Sequence, residues 1–467
     1  MVRFLAVSTS IVQQEAACVV YSASVRSLIL LAAALVPAAV FGQSAGLDAR
    51  VQSIVDGVSE ARVSAIMQKL ESFGTRGTLS PAADPEHGIG AARRWIYEQF
   101  RGYSPRLQVR YDTWHVKKDG KRIVRDVDLV NVVAVLPGAL HPDREILVSG
   151  HYDSLALVRD AGAENKIDWE KTADAPIAPG VSDDGSGVAA VMELARVMSQ
   201  NEFPNTVVFI AFAGEEQGLI GSTLYAQKAR EDGAKIEGVL NNDIIGTDVG
   251  GDGRRNNREV NVYSGDPADS PSRTLARYIR SAGNRYFPEM RVNLVFRDDR
   301  FGRGGDHTPF DHAGYAAVRF TTTTEDYSHQ HNPTDTFANA SPAYTALVTR
   351  VNGAALASLA LAPIAPHVER ISRGTSGYDA VLSWSQPAPE PELAGYVVVM
   401  RATTAPYWEH AVAVGNVHEY VLRDVPIDDV VFGVKAVDRH GNESLVSPWV
   451  ITVRPDEKIE AQQGNPR

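Results

Sequence analysis

Five short stretches place metal-ligand or acid–base side chains where apolar runs end. In SGHYDS (149–154), His151 follows the run REILVSG and Asp153 lies two residues on. On an extended segment that spacing puts both side chains on one side, where a carboxylate can accept the second ring N–H of a metal-bound histidine. Taken alone, the pair reads as structural. In APGVSDDGSGVAA (178–190), Asp183 and Asp184 precede Gly185. Asp-Asp-Gly-Ser reads as a turn with a helix cap, but that explains one aspartate, and the second suits a metal bridge because a carboxylate has two oxygens. In VVFIAFAGEEQGLIG (207–221), Glu215 and Glu216 sit side by side at the end of a core-like run. Adjacent side chains at a strand end point in different directions, so one can coordinate a metal while the other faces the attacking water. VLNNDIIG (239–246) ends its run on Asp243, and EDYSHQHNPTDTFAN (325–339) holds His329, His331 and Asp335.

These residues need elements to position them. From about 45 to 360 the chain alternates helix-like and strand-like segments. Helical periodicity runs through 56–73, 88–101, 186–199, 221–234 and 341–361, and strands are expected at 128–136, 144–150, 206–213 and 238–244. Such alternation predicts an α/β fold, a three-layer α-β-α sandwich around a mostly parallel mixed sheet. Strands apolar on both sides, such as VVFIAF, belong in its middle. Catalytic groups at strand ends fit the place where open α/β sheets collect ligands.

After 361 the texture changes. PIAPHVERI is a proline-bounded linker, followed by short alternating strands about ten residues apart, which predicts a small all-β sandwich. Trp384, Tyr396 and VVFGVKAVDRHGNES resemble a fibronectin type III module over about 364–454. The expected divisions are a leader over 1–45, an α/β domain over 46–362, the β-sandwich over 363–455 and a polar tail over 456–467. The stretch 24–46 (SVRSLILLAAALVPAAVFGQSAG) has Arg26, an apolar core and small residues near Gly42 and Ala45, the pattern of an export signal. Pro37 and Gly42 cut it short of the length a membrane span needs. Residues 1–24 fit neither signal nor domain, so translation is expected to start further in, near Val25.

The formal charge of -11 excludes nucleic acid and anionic membrane as main partners, since both need a basic face. The single cysteine, Cys18, lies in the leader, so any metal must be held by His, Asp and Glu.

HYDS, PGVSDDGSG, FAGEEQGLIGS, NNDIIG and HNPTDT, intact and in this order, resemble the successive motifs of the exported di-zinc aminopeptidases of the bacterial leucyl aminopeptidase type. FGTRG (73–77) and GGDHTPFDHAGYAAV (304–318) extend the likeness, which covers roughly 55–360. The resemblance implies a metallo-aminopeptidase binding two zinc ions and releasing N-terminal residues from peptides. It implies that His151 and Asp243 hold one zinc, Glu216 and His331 the other, and that Asp183 bridges them. Glu215 is then the general base and Asp153 orients His151. His331, rather than His329, begins the family's H-x-x-x-D-T pattern. The family also implies a cis peptide between Asp183 and Asp184. Two cations about 3.5–4 Å apart polarise the scissile carbonyl and acidify a shared water. Where some relatives place an oxyanion-stabilising tyrosine, this chain has Gln330, with Tyr327 and His307 as substitutes. A metallo-carboxypeptidase or aminoacyl hydrolase of the same fold is the rival reading. A metal-free receptor-like binding protein would be expected to lack part of the ligand set. Pocket walls fall on 155–177 and 290–305, which carry no motif; RDDRFGRGG (297–305) reads as a solvated loop first and a pocket wall second.

Overall fold

The computed structural model describes residues 47–160, 162, 166–298, 300–374, 379–425 and 427–449. The expected leader, export signal, Cys18 and polar tail lie outside them. Helices α1 (Ala49–Gly57), α2 (Glu60–Glu71) and α3 (Gly88–Tyr103) open the chain, followed by strands β1 (Gln108–Val116), β2 (Val127–Leu136) and β3 (His141–His151). A short α4 (Trp169–Ala173) and a distorted turn over Val181–Gly185 lead into α5 (Ser186–Met198). Then come β4 (Asn205–Phe212), α6 (Ile220–Glu231), β5 (Lys235–Asn242), β6 (Glu259–Ser264) and α7 (Pro271–Tyr286). The α/β part ends with β7 (Arg291–Val295), α8 (Thr308–His312), β8 (Ala317–Thr322) and α9 (Pro342–Leu361).

The strands form one sheet in the order β1-β2-β4-β3-β5-β8-β6-β7. Its centre, β4-β3-β5-β8, is parallel, while β1, β2 and β6 pair antiparallel with their inner neighbours. All eight residues of β4 are buried, because successive side chains serve two cores. Val207, Phe209 and Ala211 join the larger core with α1, α2, α3, α5, α7 and α9. Val208, Ile210 and Phe212 face the other way, toward α6 and α8. That is the expected three-layer sandwich. Helix α9 lies inside the thicker layer, with 16 of its residues buried around the circumference, so its sequence is apolar without a stripe. Among the described residues no helix is long and apolar enough to cross a membrane.

The periodicity read over 56–73 is two helices. Ser59 is extended and caps α2, its Oγ accepting from the Arg62 N–H at 3.4 Å, and a serine cap starts a new helix where the apolar pattern alone would run on.

Beyond α9 come β9 (His367–Arg373), β10 (Ala380–Ser385), β11 (Leu393–Ala402), β12 (His410–Gly415), β13 (Glu419–Leu422), β14 (Val430–Asp438) and the two-residue β15 (Ser447–Pro448). They make two antiparallel sheets, β13-β10-β9 and β12-β11-β14-β15, closed on Trp384, Tyr396, Val398, Phe432 and Val434. This sandwich is bonded to the α/β part. Arg401, 2% exposed, pairs with Asp269, Arg277 Nε donates to the Pro406 carbonyl at 2.8 Å, and Asn442 Nδ2 donates to Asp48 at 3.0 Å.

Candidate metal centre

The parallel strands β4, β3, β5 and β8 end on the same side of the sheet; four of the five stretches follow from those ends, and the other, 178–190, leads into α5. His151 is the last residue of β3. Its Nδ1 lies 3.1 Å from the Asp153 carbonyl and 3.6 Å from the Asp153 carboxylate. The carbonyl thus takes the ring N–H, which leaves Nε2 free to face Asp183 Oδ1 at 3.2 Å and Asp243 Oδ1 at 3.9 Å. The Asp153 carboxylate has other partners: it accepts from Thr78 Oγ1 at 2.8 Å and from the backbone N–H groups of Glu215 and Glu216, both at 3.3 Å. It therefore fixes the turn that carries both glutamates.

The two aspartates of the distorted turn divide the structural and chemical readings between them. The peptide joining Asp183 to Asp184 is cis. Asp184, fully buried, accepts from the backbone N–H groups of His151, Gly187 and Ile244 at 3.1, 2.9 and 3.3 Å. One carboxylate so joins the end of β3, the start of α5 and the exit from β5. Asp183 turns the other way, its Oδ1 toward His151 and its Oδ2 3.1 Å from His331 Nε2. The turn is held from outside by Asp335, whose oxygens accept from the Ser182 and Asp183 N–H groups at 2.8 and 3.0 Å. Beneath it lies buried Arg76 of FGTRG, donating to the carbonyls of Tyr152, Pro179 and Gly180 at 2.7, 2.5 and 2.7 Å.

Glu216 Oε2 lies 3.2 Å from His331 Nε2, and Arg319 Nη2 lies 2.8 Å from Asp243 Oδ1. The donor atoms thus form two groups, His151–Asp183–Asp243 and Asp183–Glu216–His331, each within 4.8 Å of one another, with Asp183 in both. Glu215 belongs to neither, its carboxylate 4.0 Å from His151 Nε2. His329 points elsewhere, Nδ1 lying 2.7 Å from Thr334 Oγ1.

Burial disfavours charge on every one of these groups, and their neighbours decide the outcome. Glu215 is pushed well above the usual carboxylate range by burial, reinforced by Asp243, Glu216 and Asp306. Burial would also raise Asp183 and lower both histidines. The histidines instead hold Asp183 well down, and the carboxylates lift His151 well above its usual value and His331 to about 11. The cluster is thus arranged to hold positive charge. Two of its buried donor atoms, His151 Nε2 and Glu216 Oε1, have no hydrogen-bond partner among the described residues. Unsatisfied buried donors and acceptors are costly, and cations ligated by N and O atoms satisfy them. The residues present fit two divalent ions.

A cavity of about 370 Å³ opens over the cluster, lined by its carboxylates and by Arg122, Arg300 and Arg303. Gln330 stands at its rim, Nε2 donating to Asp183 Oδ2 at 3.1 Å and Oε1 accepting from Arg303 Nη2 at 2.7 Å. Neither Tyr327 nor His307 lines the cavity. Tyr327 is 60% exposed, and His307 is buried with Nε2 2.8 Å from the Asp298 carbonyl. The loop 297–305 supplies Arg300 and Arg303 to the wall, the second of its two readings. Sequence reasoning gave no role to Arg319, Asp335, Thr78 or Arg303. Arg319 had an unused signal, a charge inside the apolar strand AVRFTT, and Asp335 stood unassigned in HNPTDT.

Residues 131–356 match the sequence profile of peptidase family M28. A protein of Pyricularia oryzae described as a probable zinc metalloprotease is 43% identical over 436 residues, 85% of this chain and 84% of that protein. One of Phaeosphaeria nodorum with the same description is 36% identical over 441 residues, covering 85% of this chain and 87% of that one. Among solved structures, LapB from Legionella pneumophila superposes with a TM-score of 0.51 at 20% identity, over 67% of this chain and 75% of its own. At that identity the likeness is one of fold.

Proposed function

The chain belongs to peptidase family M28, and from that premise we propose that it is a zinc-dependent aminopeptidase acting on peptides with a free N-terminus. In this reading His151, Asp183 and Asp243 hold one zinc ion, Asp183, Glu216 and His331 hold the other, and Asp183 is shared. Bound there, the pair of ions polarises the scissile carbonyl and lowers the pKa of a water. Glu215 accepts the proton of the attacking water and returns it to the leaving amine. Asp153 holds Glu215 and Glu216 through their backbone N–H groups and His151 through its carbonyl. The observation that carries this reading is the position of Glu215, 4.0 Å from His151 Nε2 in the lining of the same cavity and a member of neither donor group.

Two substitutions separate the roles. E215Q is expected to keep about two zinc ions per chain by elemental analysis and to lower kcat by about 10²–10⁴-fold on aminoacyl-nitroanilides. E216Q is expected to lower zinc content itself. Full turnover by E215Q, or hydrolysis of N-blocked peptides, would sink the aminopeptidase reading. Two further parts of the reading rest on less. Export is proposed from the 24–46 sequence pattern alone. A fibronectin type III-like identity for the C-terminal β part is supported by its three-plus-four strand arrangement.

A further inference from the structure

Resting on the aminopeptidase reading, we propose that the cavity over the metal cluster contains a carboxylate-reading subsite built by Arg303 and Arg300. Preferred substrates then carry an acidic group close to the scissile bond. The carboxylate comes either from an N-terminal Asp or Glu side chain or from the C-terminus of a short peptide.

Two cavity-wall arginines sharing one acid point there. Arg300 and Arg303 share one acid, Glu325: Arg300 Nη1 lies 2.9 Å from Oε2 and Arg303 Nη2 3.5 Å from Oε1. Two guanidinium groups in the wall thus share one carboxylate, and Arg122 lines the same cavity, whose other acids, Asp183, Glu215, Glu216 and Asp243, all belong to the metal cluster. The side chains of Arg300 and Glu325 are 12% and 10% exposed, so water screens that pair poorly, while Arg303, 37% exposed, is the guanidinium a ligand can reach. The buried Nε of Arg300 has no hydrogen-bond partner among the described residues. A guanidinium presents a fork that matches a carboxylate in two hydrogen bonds. Position supplies the second half of the argument. Arg303 reaches Asp183 through one intervening side chain, Gln330, at 2.7 and 3.1 Å. A group held by Arg303 therefore sits about one residue from the bond under attack. The same wall repels lysine and arginine side chains, which gives discrimination as well as affinity.

The test uses the full-length, zinc-loaded protein. kcat/KM is measured for Glu-, Asp-, Leu- and Lys-nitroanilides and for Leu-Gly against Leu-Gly-amide. Dissociation constants of L-glutamate, L-leucine and glutarate are measured by calorimetry, independent of turnover. The acidic anilides are expected to exceed Leu by about 10–100-fold, with Lys poorest, if the side chain is read. A Leu-Gly preference of the same size over its amide assigns the C-terminal carboxylate instead. R303Q is expected to collapse whichever ratio is found, chiefly through KM, and E325Q to increase it by removing the competing acid. No preference in either series, with glutamate and glutarate binding no tighter than leucine, overturns the subsite. A ratio unchanged in R303Q does so too. Zinc-dependent hydrolysis of Leu-nitroanilide with no preference in either series removes the subsite and leaves the aminopeptidase reading intact. Cleavage of N-acetyl peptides only when the C-terminus is free removes that reading and keeps the subsite, as a C-terminal clamp.

Discussion

Glu215 and Glu216 are chain neighbours whose N–H groups both point at Asp153. The carboxylate is therefore a hub: it takes Thr78 and both glutamates, while the carbonyl of the same residue sets the ring of His151. D153N replaces one acceptor oxygen by an amide NH₂, which must face a donor. The expected loss is about 10–100-fold in zinc affinity or activity, the usual cost of disturbing groups that orient metal ligands, measured by competition with a chromogenic chelator alongside kcat. At this scale the sequence was partly legible. Side-chain type and strand-end position singled out the five stretches, and the family resemblance chose His151, Asp183, Glu215, Glu216, Asp243 and His331 within them, all of which the fold brings to one cluster. Residue type alone left Asp183 and Asp184 undivided; the resemblance implied Asp183, and the turn gives each its direction. The partners of Arg319, Asp335 and Arg303 were illegible because each acts on a residue at least 22 positions away, through contacts that exist only after the chain has folded.

At the scale of elements, the site depends on how closely α5 approaches the ends of β3 and β5. A Cβ on Gly187 would stand 2.3 Å from Asp184 Oδ2 and 2.6 Å from the Asn242 carbonyl. One on Gly150 would meet the Gly187 backbone at 2.7 Å. The glycines let the helix start lie against the strands, with Asp184 as the joint. G187A should therefore cost about 1–3 kcal/mol of stability by overpacking, seen as a lowered Tm by calorimetry. Part of the cost should appear as weaker zinc binding, because the displaced Asp184 anchors the His151 backbone. Central elements were readable from pattern, since β4 and α5 are apolar enough to announce themselves. Others were not. Strand β1 is an edge strand with no fully buried residue, so it carries little apolar periodicity. Helix α7 was not read, although Ser270 and Pro271 form a legible start and Leu275, Ile279, Ala282 and Tyr286 recur at helical spacing; the charged RTLARYIRSAGNR surface reads as polar when the face is not counted.

For the whole molecule, the β-sandwich is tied to the first helix of the chain through Asp48. That residue caps α1, and its carboxylate is held by Arg50 and by Asn442. Burial alone would raise the Asp48 carboxyl, but the hydrogen bonds from Arg50 and Asn442 outweigh it and hold the group at about 2. A carboxyl depressed in the folded state stabilises fully above its unfolded value near 4 and loses that contribution as pH falls through about 2. Wild-type Tm should therefore fall across this window more steeply than that of D48N. Equal slopes would mean the contact carries no linkage. The second tie runs through α7. Arg277 bonds the Pro406 carbonyl and stacks over Phe296 at 5.2 Å, and Arg273 lies over the same ring at 4.9 Å and donates to the Phe296 carbonyl at 3.2 Å. Phe296 is the last residue before the loop bearing Arg300 and Arg303. The C-terminal sandwich thus bonds the helix that holds the root of a loop whose Arg300 and Arg303 line the cavity over the His–Asp–Glu cluster. A chain cut at 362 would be a different catalyst rather than a shorter one, its fault written in which peptides it accepts.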